Sequence, residues 1–272
     1  MTKISFEFFP PKTEKGREKL KSTREQLSEF SPEYYSVTYG AGGSTRDNTR
    51  DIVLGIQQDG AAVAPHLSFG ADDKESITEL LQCYQDNGVS RIVALRGDLP
   101  SGMGARKPVY AQELVSFIRE SFGDHFEIAV ACYPEVHPEA DDYQTDVAFL
   151  KSKLDAGADY AVTQYFYNLE AFYHFMEICK KHGIDKPIVP GIMPITNAEN
   201  LIRFSDGCGA DIPRWLRKSL SDQKNQEDLL AFGEELVSNL CEKLIDFGVP
   251  GLHFYTMNQS EPSSRICRNL GL

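Results

Sequence analysis

The sequence predicts an α/β protein, a (β/α)8 barrel that runs as a single catalytic unit through residues 1–272. Three observations predict it. Short apolar, β-branched or aromatic runs recur at roughly 30 residues, the length of a strand–loop–helix unit. Segments with apolar positions at helical spacing lie between them. A glycine closes most of those segments before the next run begins, the usual way out of a helix into a strand. Alternation repeated about eight times calls for a parallel sheet with helices outside it. A chain of 272 residues suits one barrel of about 250. A doubly wound open sheet is the alternative packing of the same units.

The elements follow in order. The strand-like runs are Ile4–Phe9, Tyr34–Thr38, Ala61–Leu67, Arg91–Leu95, Glu127–Cys132, Tyr160–Gln164, Pro187–Gly191 and Gly251–Tyr255. Each is about 5–7 residues long, as a buried strand should be. Helical segments are Glu14–Phe30, Asp73–Asn87, Asp142–Ala156, Leu169–His182 and Glu227–Phe247. The last four stop at Gly88, Gly157, Gly183 and Gly248. The stretch Asp206–Asn225 is surplus to the repeat and predicts a short extra helix before the long helix that leads into strand eight.

Composition removes several function classes. Net charge is −12, from 28 basic and 40 acidic residues. Phosphate backbones are bound by clustered Lys and Arg, so a nucleic-acid partner is not expected. An anionic ligand would have to meet a local basic patch or a helix N-terminus. The six cysteines are scattered, with no C-x-x-C pair, which fits free thiols in a reducing compartment and neither a disulfide framework nor a zinc site. The segment Met1–Ser5 lacks a signal-peptide core. No apolar stretch approaches the ~18 residues of a membrane span. A cytoplasmic protein without a membrane partner is expected.

In barrels of this kind, chemistry sits at the C-terminal ends of the strands. Strand one carries Glu7 inside an apolar run. Burial of a carboxylate raises its pKa, which would keep a proton available to a general acid; a structural Glu bonded to a neighbouring strand is the other reading. Strand two opens into Gly40-Ala41-Gly42-Gly43-Ser44-Thr45. That glycine-rich turn would let a ligand approach the backbone, or it is a tight turn with a Ser or Thr cap. It is not a G-x-G-x-x-G dinucleotide fingerprint. His66 ends strand three as a ligand contact or a core histidine.

Strand four ends in Arg96-Gly97-Asp98. Arg96 can meet a phosphate, Gly97 permits close approach, and Asp98 can accept ligand N–H groups; an Arg96–Asp98 ion pair is the alternative. After strand five come Tyr133, Glu135, His137 and Glu139, set between prolines. Gln164, ending strand six, can read a donor–acceptor pattern on a heterocycle. Strand eight ends His253-Phe254-Tyr255-Thr256-Met257-Asn258, polar and aromatic again. A catalytic triad, a nucleophilic cysteine, a phosphate-binding lysine loop and a metal cage are all missing from these ends. That favours a planar cofactor performing the hard chemistry while the protein orients it and handles protons.

Read in order, the strand ends resemble the methylenetetrahydrofolate reductase family in its bacterial form. The residues that carry the resemblance are Ser5-Phe6-Glu7-Phe8-Phe9-Pro10-Pro11, Val37-Thr38-Tyr39-Gly40-Ala41, Ala64-Pro65-His66-Leu67, Ala94-Leu95-Arg96-Gly97-Asp98, Tyr133 to Glu139, Thr163-Gln164, Pro190-Gly191-Ile192 and His253-Phe254-Tyr255-Thr256. The likeness runs from residue 4 to about residue 270.

The resemblance implies FAD as cofactor and NADH or NADPH as co-substrate. The implied reaction reduces 5,10-methylenetetrahydrofolate to 5-methyltetrahydrofolate by a ping-pong mechanism, which feeds one-carbon units to methionine synthesis. It makes Glu7 the general acid and Asp98 a catalytic carboxylate near flavin and pterin. FAD contacts would fall on Thr38, Tyr39, Ala41, His66, Arg96, Gly97, Asp98, Tyr110, Ala111, Tyr133, His137, Ala140, Asp146 and Lys153. Gln164, Phe204 and Gln259 would meet the substrates, with Phe204 stacking on nicotinamide and folate in turn. The partners are small molecules, and a homo-oligomer is expected.

Three positions depart from the family pattern. Phe149 and Ser152 stand where Asn and Arg often contact FAD, and Gln259 stands where Arg often follows Asn. FAD retention and affinity for the folate tail are the properties they touch. Two other readings remain: a flavin- or folate-binding barrel without catalysis, and an unrelated phosphate-binding barrel such as an aldolase. The first predicts a degraded acid position. The second would want a Schiff-base lysine at a strand end, and the eight runs offer none.

Overall fold

The computed structural model describes residues 2–39, 43–69, 73–96 and 109–272, with residues 43–45 described by their backbone alone. Strands β1 (Lys3–Phe8), β2 (Tyr34–Val37), β3 (Val63–Leu67), β4 (Arg91–Ala94), β5 (Glu127–Cys132) and β6 (Tyr160–Thr163) run parallel and neighbour one another in sequence order. The seventh strand comes in two halves, β7 (Ile188–Val189) and β8 (Gly191–Ile192), and β9 (Gly251–Tyr255) is last. β7 pairs with β6, β8 pairs with β9, and β9 pairs with β1. The split strand therefore closes the sheet into a (β/α)8 barrel.

Pro190 is the reason for the split. It has no N–H to give the ladder, but its carbonyl accepts a hydrogen bond from the His253 N–H at 2.9 Å. Gly191 follows because nothing larger fits. A Cβ there would lie 2.2 Å from the Thr163 carbonyl and 2.5 Å from the Tyr255 ring. The sequence expectation of one continuous strand over Pro187–Gly191 is corrected accordingly.

Helices α1 (Glu14–Leu27), α2 (Gly43–Gln58), α3 (Lys74–Asp86), α4 (Ala111–Phe122), α5 (Tyr143–Asp155), α6 (Leu169–Lys181), α7 (Ala198–Cys208), α8 (Arg214–Ser221), α9 (Gln226–Phe247) and α10 (Glu261–Asn269) occupy the connections and the C-terminus. Their starts follow capping chemistry: the side chains of Thr13, Asp73, Asp142, Asn168, Asn197 and Asn225 each accept a backbone N–H of the first turn, satisfying donors that have no partner within the helix. The surplus stretch does hold a short helix, α8. Its first residues, Asp206 to Cys208, belong to α7.

Strand alternation sorts side chains into two apolar layers. In β1, Ile4, Phe6 and Phe8 face outward and are buried against the helices. The opposite, inward set fills the barrel with Tyr34, Ala64, Val93, Ala129, Tyr160 and Val162. Ser5 and Glu7 belong to that inward set, with Glu7 one pleat nearer the C-terminal mouth. The register brings Glu7 beside Ser36 of β2 and Tyr255 of β9.

Candidate active site

Glu7 projects into the barrel mouth from the penultimate position of β1. Three side chains from three other strands converge on its Oε2: His66 Nε2 of β3 at 3.1 Å, His253 Nε2 of β9 at 3.4 Å and the Ser36 hydroxyl of β2 at 3.4 Å. The His66 Nε2 is the nearest of the three, and it is buried without an aligned hydrogen bond. His253 is fixed from behind, with Nδ1 2.7 Å from the Ser5 hydroxyl.

The backbone around Glu7 is clamped by the segment after β9. The Thr256 hydroxyl donates to the Glu7 carbonyl at 2.6 Å. The Asn258 amide takes both backbone groups of Phe9, accepting its N–H at 3.0 Å and donating to its carbonyl at 2.9 Å. Met257 and Asn258 adopt left-handed φ values of 51° and 54°, tolerable for Asn and costly for Met. The clamp is held at the expense of that strain.

The electrostatics of Glu7 reverse the expectation from sequence. Burial pushes its carboxyl up, as argued, but the imidazoles of His66 and His253 more than offset it and hold the pKa at about 2. The carboxylate is thus ionised in the free site.

Several of the remaining expected residues follow the C-terminal ends of the strands. Arg96, just past β4, forms a two-pronged ion pair with Glu139 of the β5–α5 connection, Nη2 to Oε1 at 2.7 Å. That connection is laced by further contacts. Tyr133 and His137 pack edge to face with centroids 4.6 Å apart. The His137 N–H donates to Asp146 at 2.9 Å, its Nδ1 accepts the Glu139 N–H at 3.0 Å, and its carbonyl accepts the Ala140 N–H at 2.8 Å. Lys153 of α5 reaches back under the loop to the Ala131 carbonyl at 2.5 Å, and burial pushes its ammonium pKa down.

Thr38 and Tyr39 leave β2 at the mouth, with the Thr38 carbonyl accepting the Thr49 hydroxyl at 3.0 Å. Tyr110 and Ala111 begin α4. Gln164 ends β6, its Oε1 accepting the Tyr165 N–H at 3.0 Å. Phe204 on α7 and Phe149 on α5 are exposed, as is Gln259 after β9; the Ser152 hydroxyl turns back to the Phe149 carbonyl at 2.8 Å. Ala41, Gly97 and Asp98 lie outside the described residues, and so does the Arg96–Asp98 alternative.

Sequence reasoning did not single out His253, Ser5 or Ser36. A signal existed for the first: His253 is a polar residue between the outward-facing Leu252 and Phe254, so strand alternation turns it inward. Glu135, one of the polar residues expected after strand five, accepts the Asp211 N–H at 2.7 Å while its other oxygen is buried without a partner. All six cysteines are free, and burial pushes the thiols of Cys132, Cys179, Cys241 and Cys267 up. No cluster able to hold a metal occurs among the described residues, and no described helix is long and apolar enough to cross a membrane.

Comparison with known proteins gives a consistent picture. The family model described as methylenetetrahydrofolate reductase matches residues 1–271. A 5,10-methylenetetrahydrofolate reductase of Pectobacterium carotovorum is 41% identical over 99% of this chain and 90% of its own, and that of Escherichia coli K12 is 40% identical over the same shares. An Arabidopsis thaliana protein named methylenetetrahydrofolate reductase (NADH) 1 is 41% identical over the whole chain, which spans 48% of it. Among solved structures, a Clostridium thermocellum protein described as binding two copies of 5-methyl-5,6,7,8-tetrahydrofolic acid superposes with a TM-score of 0.70 at 17% identity, covering 98% of this chain and 93% of that one. That likeness speaks to the barrel.

Proposed function

The chain belongs to the methylenetetrahydrofolate reductase family, and from that premise we propose that it reduces 5,10-methylenetetrahydrofolate to 5-methyltetrahydrofolate with electrons from NADH or NADPH, carried by FAD in a ping-pong cycle. The product would supply methyl groups for methionine synthesis. The observation that carries the proposal is Glu7, a carboxylate at the barrel mouth with two imidazoles on one oxygen.

The residues of the mouth fit FAD. His66 Nε2 is buried without an aligned partner, as a group awaiting a ligand acceptor would be. Arg96 offers a two-pronged cation in an acidic protein, with Glu139 in the position a phosphate would take. Tyr133 supplies an aromatic wall, and its burial pushes the phenol up to about 12, so it stays neutral. Thr38, Tyr39, Ala41, Gly97, Asp98, Tyr110, Ala111, His137, Ala140, Asp146 and Lys153 complete the proposed cofactor set. When bound, the flavin would take hydride from nicotinamide and pass it to the folate.

What the protein itself contributes is proton handling and orientation. The bridging methylene accepts hydride only after one of its C–N bonds breaks, and the departing nitrogen then needs a proton. Glu7 delivers it, and one proton is consumed per turnover. Asp98 would stabilise the cation that develops on the folate. Gln164 would read the pterin edge, Phe204 would stack on each substrate in turn, and Gln259 would meet the glutamate tail with a weaker grip than a cation gives.

Pure protein reconstituted with FAD should be yellow, should bleach anaerobically with NADH or NADPH, and should recover its colour on addition of 5,10-methylenetetrahydrofolate. Bleaching without recovery would leave a flavin-binding barrel with another acceptor. Failure to retain FAD at all would overturn the reading.

A further inference from the structure

The proton requirement and the ionised state of Glu7 raise the question of where the proton is kept. Glu7 Oε2 and His253 Nε2 are 3.4 Å apart, and His253 Nδ1 is 2.7 Å from the Ser5 hydroxyl. His253 is 2% exposed, so bulk water does not hold its ring. Its faces are filled instead: the Tyr34 ring stacks at 6.0 Å and the Tyr255 ring meets it edge-on at 5.3 Å. The three polar groups Ser5, His253 and Glu7 thus form a line across the β1–β9 seam, ending at the mouth.

We propose that His253, oriented by Ser5, is the positioning residue that stores and supplies the proton Glu7 delivers in the folate step. The path is Nε2–H of His253 to Oε2 of Glu7, and from Glu7 to the departing folate nitrogen. The C–N bond breaks with its electron pair taking that proton, the methylene carbon gains the hydride, and the imidazolium returns to its neutral form. The stored proton is replaced from solvent through Glu7 itself, since its side chain is 16% exposed and is the open end of the line.

Other titratable groups face this line. His66 of β3 approaches the same Glu7 oxygen at 3.1 Å, Tyr34 of β2 and Tyr255 of β9 flank the ring, and Arg91 of β4 lies 4.9 Å over the Tyr34 ring. Burial pushes both phenols up, so neither competes for the proton near neutrality. His66 is the real competitor. It differs in lacking both an aligned bond to Glu7 and a serine behind it, and it lies at the opening where the cofactor is proposed to sit.

The inference rests on the acid role proposed for Glu7, and the test separates the two. Flavin-loaded His253→Gln, Ser5→Ala, Ser5→Thr and Glu7→Gln are compared with wild type in anaerobic half-reactions across pH. His253→Gln should slow the folate half-reaction at least tenfold, flatten its pH profile, leave the folate KM near wild type and leave the NADH half-reaction within about twofold, in line with typical losses of acid–base help. Ser5→Ala should lose part of that rate and Ser5→Thr should restore it. In ring-nitrogen NMR of the flavin-loaded protein, the signal absent from His253→Gln should report a ring protonated on both nitrogens in wild type and a smaller protonated fraction at the same pH in Ser5→Ala. A wild-type pH profile and rate in His253→Gln, with Glu7→Gln inactive toward folate, would overturn the His253 proposal alone. A fully active Glu7→Gln would overturn the acid reading beneath it. Equal loss in both half-reactions of His253→Gln, or an unchanged NMR signal in Ser5→Ala, would reduce His253 to a packing residue.

Discussion

Two imidazoles crowd one carboxylate oxygen, and that arrangement sets the acid behaviour of Glu7. A carboxyl whose folded pKa is depressed stabilises the fold above its unfolded value and loses that contribution as pH falls through the folded one. For Glu7 the window runs from 4.5 down to about 2. Wild type should therefore lose stability more steeply than Glu7→Gln across that window, measured as the denaturant midpoint at each pH, with the two curves converging toward pH 2. Parallel curves would mean that the imidazoles do not hold the charge. Glu7 itself was legible in the sequence as a charge inside an apolar strand. The direction of its pKa was not, because it depends on His66 and His253, which reach Glu7 only through the strand order of the closed barrel. Ser5 was invisible for the same reason: a serine in a strand has no meaning until β9 is laid beside it.

At the level of elements, the mouth is tied together by loop-to-loop contacts. Glu135 of the β5–α5 connection accepts the backbone N–H of Asp211, between α7 and α8, while burial pushes its carboxyl up to about 7. A Cβ on Gly209, beside it, would meet Pro138 at 2.2 Å, so the two segments are in tight contact. A raised folded pKa contributes stability that is present below the unfolded value of 4.5 and lost as pH rises through about 7. Raising pH from 5 to 8 should lower the wild-type denaturant midpoint relative to that of Glu135→Gln; indistinguishable midpoints would show that Glu135 is not held in this state. The seventh strand offers a sterically simpler test. Gly191→Ala places a Cβ against the Thr163 carbonyl, and overpacking of this kind costs about 1–3 kcal/mol, so the thermal midpoint should fall by several degrees. An unchanged midpoint would mean the closure of the barrel is looser than described. Most elements were legible because apolar period and capping residues agreed. The split at Pro190 was not read, since a proline next to a glycine looks like a strand end until the partners on both sides are known.

The whole molecule is acidic, with a net charge of −12, yet its proposed ligands are anions. The long-range field should slow their arrival, and salt screens that field over a distance of about 10 Å at 0.1 M. FAD association followed by fluorescence quenching should therefore quicken as ionic strength rises from about 0.01 to 0.1 M. A steady slowing would show that the local field of Arg96 outweighs the molecular charge. At this scale the barrel was the most legible feature, because it follows from a repeat that spans the chain. The site was partly legible: its rim residues could be placed by strand ends, but the pairing of Arg96 with Glu139 and the clamp from Asn258 to Phe9 join segments far apart in sequence.

On the proposed function, Glu7 serves the folate step and not the nicotinamide step. Anaerobic stopped-flow of Glu7→Gln, with each half-reaction followed through flavin absorbance, tests it most directly. NADH reduction of the flavin should stay within about twofold of wild type, and the folate half-reaction should slow by roughly 100-fold or more, the range expected for a lost general acid. Equal slowing of both half-reactions, or a folate half-reaction that proceeds at the wild-type rate, would contradict it.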